Sequence, residues 1–158
     1  MEHTVRRVVT GHDAAGRSII ADDAVVDGQD AGPATVMRIW ATTSSPANNQ
    51  LANDGAALID TFTSPNGTAT HVVDWAPRQS FPMHRTLSVD VLAVVSGLLT
   101  VELDSGESTV LAPGDVIVQR GTNHTWRNDG DEWCRTVVTL VAAEPVTIDD
   151  VPVEPTLL

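Results

Sequence analysis

The chain has 158 residues and a formal net charge of −12, which comes from nine arginines, 21 acidic residues and no lysine. Such an acidic surface repels phosphate backbones, so the composition argues against nucleic-acid binding. Hydrophobic residues make up 42% of the chain, which is enough for one packed core. No apolar run approaches the ~20 residues of a membrane span. The N-terminus shows no signal-peptide pattern, so a cytoplasmic location is expected.

The first part of the chain, residues 1–69, is predicted to contain strands and one insertion. Short alternating runs rich in valine and threonine predict strands at 4–11, 17–26 and 36–44. The segment 45–69 is rich in turn-forming residues and is predicted to be an insertion with a short helix near 55–60.

Residues 70–143 carry the clearest strand pattern and form the predicted core of the domain. Period-two alternation and glycine turns predict strands at 70–77, 88–97, 116–119 and 134–143, a hairpin over 98–115, and a strand from 125 that leads into a turn. Eight to ten short strands without a helical layer argue for a sandwich or barrel. Because no linker divides the chain, one domain over 1–158 is expected.

The tail, residues 144–158, is acidic and rich in proline. It is predicted to be either a strand added to the sheet edge of a partner or a loose end.

Two motifs in this core resemble those of the cupin family. The first runs through His84, Thr86, Asp90 and Gly97, and the second through Gly114, Asp115, Gly121, His124 and Asn128. The resemblance implies an all-β fold of the cupin type, a double-stranded β-helix or jelly-roll barrel, with the N-terminal strands as additions. In cupins, a second histidine stands at the position of Thr86 and a glutamate at that of Asp90. The segment between the glycines of the second motif is one residue shorter than the common form.

Alternation predicts which side chains of the two motifs share a face. It places His84 and Thr86 on one strand face, and Asp90, Leu92 and Val94 on one face of the following stretch, which the resemblance turns into the barrel. His124 and Trp126 share a face in the second motif.

The resemblance also implies a metal site made by His84, Asp90 and His124. Two neutral imidazoles and one carboxylate can bind a divalent ion as a facial triad, and iron, manganese, nickel and zinc are all compatible. A structural role stays open for each residue: a single histidine in a strand is usually a hydrogen-bonded structural residue, and Asp90 could instead cap a loop or pair with Arg85 or Arg127.

Other residues are expected around this metal set. Gln119 and Thr86 are the predicted catalytic residues that help to place the substrate. Gln119 could alternatively satisfy the backbone of the barrel, and the hydroxyl of Thr86 suits a hydrogen bond beside the metal. Trp126, Trp75 and Leu92 are predicted to line the pocket, although the two tryptophans also suit a packed core.

These features predict a metal-dependent enzyme of the cupin type that acts on a small organic substrate, as an oxygenase or as a lyase such as a decarboxylase. The alternative is a metal-free cupin that binds a small organic ligand without catalysis. The absence of lysine and tyrosine excludes a side-chain Schiff base and a phenolic acid or base. A homodimer is expected, because the apolar N-terminal strands lie outside the motif core and open sheet edges invite pairing.

Overall fold

The computed structural model describes residues 1–50 and 54–156. These residues form fourteen strands and one short 3₁₀ helix, Gly55–Ala57. The strands are β1 (Thr4–His12), β2 (Ser18–Asp27), β3 (Gln29–Asp30), β4 (Ala34–Thr42), β5 (Thr68–Trp75), β6 (Gln79–Ser80), β7 (Ser88–Ser96), β8 (Leu99–Leu103), β9 (Ser108–Leu111), β10 (Val116–Arg120), β11 (His124–Asn128), β12 (Cys134–Ala142), β13 (Thr147–Ile148) and β14 (Val151–Pro152). No helix of the described ranges is long and apolar enough to cross a membrane.

Two antiparallel sheets form the body of the protein. The larger has the order β10-β7-β12-β5-β4-β3, and the smaller has the order β6-β11-β8-β9. Side chains alternate between the interior and the outside of each sheet. In β7, for example, Asp90, Leu92 and Val94 are buried, whereas Val91 and Val95 are exposed. The predicted all-β jelly-roll fold is confirmed.

The hydrophobic core joins the two sheets. Val73 and Leu140 contribute to it from the larger sheet, and Val101 and Trp126 from the smaller one. Burying one such side chain stabilises the fold by about 1.5–3 kcal/mol, so the core holds the sheets face to face. Cys134 lies fully buried in the same core, and burial raises the pKa of its thiol to about 11. It is therefore a structural thiol and not a nucleophile.

The two predicted N-terminal strands are present as a separate hairpin. β1 and β2 form a two-stranded sheet of their own, which lies against β4. Side chains tie this hairpin to the rest of the chain: Nδ1 of His3 lies 2.9 Å from a carboxylate oxygen of Asp74, and Arg7 donates to Asp54 at 2.7 Å.

The predicted insertion contains less helix than expected. The helix near residues 55–60 is reduced to the single 3₁₀ turn at Gly55–Ala57. The Asp54 side chain accepts a hydrogen bond from the backbone N–H of Ala56 and caps this turn. Residues 51–53 of the insertion lie outside the described part of the chain.

The tail pairs with itself, so it is not a loose end over residues 144–156, while its addition to the sheet edge of a partner stays a prediction. β13 and β14 form a small hairpin, whose turn places Asp149 and Asp150 in the left-handed region with φ of 50° and 63°. Aspartate tolerates this conformation better than most residues. Beyond the hairpin, the Thr156 backbone N–H donates to the carbonyl of Arg85 at 3.3 Å, which fastens the tail to the barrel. Residues 157–158 lie outside the described part.

Candidate functional site

A cavity of about 540 Å³ lies between the two sheets. Its size falls within the range of about 300–1,000 Å³ that is usual for sites of small organic ligands. The apolar part of its wall includes Val36, Val73, Trp75, Leu92, Val138 and Leu140 of the larger sheet, Trp126 of the smaller sheet, and Phe62 and Phe81 of loops. The residues predicted to line the pocket, Trp126, Trp75 and Leu92, all lie in this wall.

Two histidines meet at one side of the cavity. His84 and His124 exchange backbone hydrogen bonds of 2.8 and 2.9 Å, and their ring centroids are 4.2 Å apart. Nδ1 of His84 lies 2.8 Å from the carbonyl oxygen of Pro82. A carbonyl can only accept, so Nδ1 carries the proton and Nε2 carries the lone pair. Burial lowers the pKa of His84 and lowers that of His124 to about 4, so both rings are neutral at pH ~7.

The side chain of Gln119 contacts the Nδ1 side of the His124 ring. Its amide nitrogen donates to the carbonyl of Thr122 at 2.8 Å and also contacts Nδ1 of His124. The same carbonyl lies 3.0 Å from Nδ1. Gln119 is buried but is not part of the cavity wall. Its position fits the second of its two predicted roles, satisfying polar groups of the barrel, and in doing so it orients the His124 ring.

The carboxyl group of Asp90 lines the same cavity as the two histidines and is held by hydroxyl groups. The Ser88 hydroxyl donates to one of its carboxylate oxygens at 2.5 Å, and the Thr86 hydroxyl donates to the other at 3.4 Å. Burial raises the pKa of Asp90, and the two hydroxyl hydrogen bonds act in the opposite direction. The site therefore contains a carboxyl group that is costly to ionise.

Arginine does not neutralise Asp90 in the described structure. Arg85 donates instead to the carbonyl of Gly121 at 2.9 Å, and Arg127 lies 3.5 Å from Glu102. The alternative in which Asp90 forms an ion pair with either arginine is therefore not realised.

Comparison with known proteins identifies the family. The family model described as a cupin domain matches residues 71–140. The chain is 38% identical over 161 residues to Phomopsin biosynthesis cluster protein C' of Diaporthe leptostromiformis, with 92% of this chain and 82% of that protein covered. It is 32% identical over 152 residues to the cupin-domain-containing oxidoreductase srdB of Neurospora crassa, with 90% and 76% covered. This chain belongs to the cupin family.

Solved structures share the cupin barrel at low sequence identity. The polyketide cyclase RemF from Streptomyces resistomycificus matches with a TM-score of 0.53 at 18% identity over 77% of each chain. Ectoine synthase from P. lautus matches with a TM-score of 0.52 at 13% identity over 74% of this chain and 70% of the other. At this level of identity, the likeness supports the fold alone.

The first cupin motif is less regular than the sequence predicts. Alternation predicts a strand with His84 and Thr86 on one face, but His84 forms only an isolated bridge with His124, and the next strand, β7, begins at Ser88. The prediction of a strand here is wrong, because Pro82 has no N–H to donate to a ladder and the carbonyl of Arg85 is used by the tail. His84 and Thr86 nevertheless both line the cavity.

The cupin site gathers two of the three predicted metal ligands. His84 and His124 are in contact, and Nδ1 of each ring lies within hydrogen-bonding distance of a backbone carbonyl. With the proton on Nδ1, Nε2 of each ring is free to bind an ion. Asp90 lies in the same wall, but its carboxylate is engaged by hydroxyls. Within residues 1–50 and 54–156, no three His, Cys, Asp or Glu side chains stand close enough together to hold an ion. The two imidazoles fit a metal, whereas the carboxylate as placed does not complete the set.

Ser88 is the site residue that sequence reasoning missed. Its hydroxyl bonds Asp90 and lies 2.9 Å from the Thr86 hydroxyl, so it organises the acidic part of the wall. The signal was available, because residues two apart in a strand share a face. Phe62 and Phe81 were harder to place in the wall, since loops carry no periodic pattern.

Proposed function

We propose that this protein is a metal-dependent cupin enzyme that acts on a small organic substrate in the cavity, as an oxygenase or a lyase. One observation carries the proposal: two imidazoles, a carboxyl group and a hydroxyl group line one cavity whose wall is otherwise mostly apolar. Burying such groups is costly, and ionisable groups with shifted pKa values cluster at reactive sites. The relatives named as an oxidoreductase and as a biosynthesis cluster protein support an enzymatic role.

The side chains of the wall would have distinct roles. His84 and His124 would bind the ion through Nε2. Asp90 would be the third ligand, once its carboxylate gives up the hydrogen bond from Ser88 and binds the ion instead. When bound, a divalent ion supplies a Lewis acid for oxygen atoms of the substrate. Gln119 orients His124, and the hydroxyl of Thr86 can donate to the substrate or to Asp90. Iron, manganese, nickel and zinc all suit this set of donors.

Metal analysis of tag-free protein tests the proposal. After reconstitution we expect about one equivalent of a divalent metal per chain, and a loss of most of it in His84→Ala and in His124→Ala. His12→Ala changes an exposed histidine of β1 and should leave the metal content unchanged. A wild-type content below about a tenth of an equivalent after reconstitution would contradict the proposal.

A second candidate is a metal-free cupin that binds a small organic ligand without catalysis. It is favoured by the hydrogen bonds that already satisfy Asp90 and by Thr86, which offers no imidazole. In that case reconstituted protein stays metal-free, while small organic ligands still raise its melting temperature. The expected cytoplasmic location also stays a prediction.

A further inference from the structure

No side chain that lines the cavity carries a positive charge. The chain has no lysine, and none of its nine arginines, all of which lie in the described ranges, belongs to the wall. Asp90 is the single acidic side chain of the wall. A carboxylate or phosphate that entered would lose its hydration without gaining a protein counter-ion, which is costly.

Several polar groups at the wall are already bonded within the protein. The Trp75 indole N–H donates to the Thr136 hydroxyl at 3.0 Å, and the Ser64 hydroxyl donates to the carbonyl of Thr42 at 2.6 Å. The Thr61 hydroxyl donates to a nearby backbone carbonyl at 2.7 Å. These side chains therefore present mainly carbon surface to a ligand.

Aromatic rings frame the two histidines. Phe81 packs against His84 with centroids 5.2 Å apart, and Trp126 packs edge-on against His124, also at 5.2 Å. Trp75 lies 6.0 Å from Trp126 and extends this apolar frame. A molecule that reaches the histidine nitrogens consequently has most of its surface against hydrocarbon.

We infer that the substrate of this cavity is uncharged at neutral pH and mostly apolar, so that free carboxylates, phosphates and ammonium compounds are excluded. The inference rests on the proposed function only in taking the bound molecule as the substrate. An anion meets no cationic side chain. A cation meets a single carboxyl group that two hydroxyls already engage.

Three probes with one ring system and different charges test the inference: naphthylmethanol, naphthoate and naphthylmethylammonium. Equilibrium dialysis against chelator-treated protein at neutral pH measures their dissociation constants without turnover. We expect the alcohol to bind at least about tenfold more tightly than either charged probe, because burial of an unpaired charge is unfavourable. Equal or tighter binding of the carboxylate or the ammonium probe overturns the inference.

A cationic side chain introduced into the cavity wall by substitution provides a second test of the inference. Leu87 lines the cavity and is 39% exposed, so Leu87→Arg can add a guanidinium there without burying it fully. We expect the affinity for naphthoate to rise about tenfold or more relative to the alcohol. Leu98→Arg is the matched control, because Leu98 is 53% exposed and lies outside the cavity wall. A response to Leu98→Arg equal to that of Leu87→Arg shows that the probes bind elsewhere and overturns the inference.

Repeating the dialysis on metal-reconstituted protein separates this inference from the proposed function. A divalent ion attracts a carboxylate whatever the walls offer. Metal uptake with naphthoate still bound more weakly than the alcohol supports both proposals, whereas naphthoate that binds the reconstituted protein as tightly as the alcohol overturns the inference and keeps the metal. If the protein takes up no metal and still prefers the alcohol, the proposed metal-dependent function is contradicted and the inference about the substrate stands. Tighter naphthoate binding in chelator-treated protein overturns the inference, whether or not metal is taken up.

Discussion

His84 and His124 are joined twice, by two backbone hydrogen bonds of 2.8 and 2.9 Å and by a ring contact with centroids 4.2 Å apart. The backbone pairing fixes the two Cα positions, so the two side chains start from neighbouring points on the loop before β7 and on β11. The fold itself therefore brings the imidazoles together before any ligand binds. Preorganisation of this kind lowers the entropic cost of binding at the site.

Gln119→Ala should weaken metal binding while leaving the barrel folded. The Gln119 amide contacts Nδ1 of His124, and groups that orient a ligating histidine typically change metal affinity by about 10–100-fold. Competition with a chelator of known affinity measures the change, and circular dichroism checks the fold. Gln79→Ala is the control, because Gln79 is exposed and outside the cavity wall. An affinity equal to wild type would show that Gln119 serves the barrel alone.

Ser88→Ala should raise the pKa of Asp90 further above its ordinary value. The Ser88 hydroxyl donates to Asp90 at 2.5 Å and opposes the effect of burial. When the pKa of Asp90 is higher in the folded than in the unfolded chain, ionisation of Asp90 favours unfolding. The loss of stability should therefore appear at neutral pH and fade at low pH, where Asp90 is protonated in both the folded and the unfolded chain. We expect the free energy of unfolding to fall by about 1.5–3 kcal/mol at neutral pH. Urea denaturation of chelator-treated protein measures it.

Ser108→Ala removes an exposed hydroxyl of β9 and is the control for the Ser88 variant. Carbon NMR of the Asp90 carboxyl group gives the pKa directly. A pKa that stays the same or falls in Ser88→Ala would contradict the assigned hydrogen bond.

His71 should make the fold sensitive to acid. Burial lowers the pKa of His71 from 6.5 to about 4. The unfolded chain therefore takes up a proton near pH ~6.5, whereas the folded chain does not until about pH 4, so stability falls as the pH is lowered through this window. By about pH 4 this difference corresponds to about 3 kcal/mol for one histidine. His124 adds a similar loss, since its pKa is also lowered to about 4.

His71→Gln should therefore lose less stability than wild type between neutral pH and pH ~4.5. Chemical denaturation at the two pH values measures the difference, with His12→Gln as a control at an exposed position. Equal losses in wild type and His71→Gln would show that His71 is protonated in the folded state.

Much of the barrel could be predicted from sequence because its strands bury one face only. Alternation correctly placed Asp90, Leu92 and Val94 on the inner face of β7, and His124 and Trp126 on that of β11. The turn residues between these strands marked where each one ends, which is why the hairpin of β8 and β9 was also predictable.

The finer geometry of the site was not predictable, because it depends on rotamers and loop contacts. Spacing cannot tell whether Asp90 turns toward an arginine or toward Ser88 and Thr86, since all of these lie within reach. The strand expected around His84 failed for a related reason: the carbonyl of Arg85 is used by the tail, a contact remote in sequence.

The predicted homodimer should form through the outer side of the N-terminal hairpin. Its inner side packs on β4, while Ile20 and Val25 on the hairpin are 60% and 64% exposed. The net charge of −12 on each copy opposes association. That repulsion is screened beyond about 8 Å at physiological salt, whereas an interface of standard size buries about 1,600 Å². The free energy gained by burying these apolar side chains should therefore exceed the charge repulsion between the two copies.

Light scattering at micromolar concentration measures the assembly. We expect a mass of about twice 16.8 kDa for the wild type, and 16.8 kDa for the double variant Ile20→Asp, Val25→Asp with unchanged circular dichroism. Val110→Asp is the control: Val110 is 58% exposed and lies on β9 of the smaller sheet, away from the N-terminal hairpin. This variant should therefore stay dimeric. If Val110→Asp dissociates the dimer and the hairpin variant does not, the interface lies on the smaller sheet. A wild-type mass of 16.8 kDa would show that the charge repulsion prevails and that the exposed hairpin side chains remain in water.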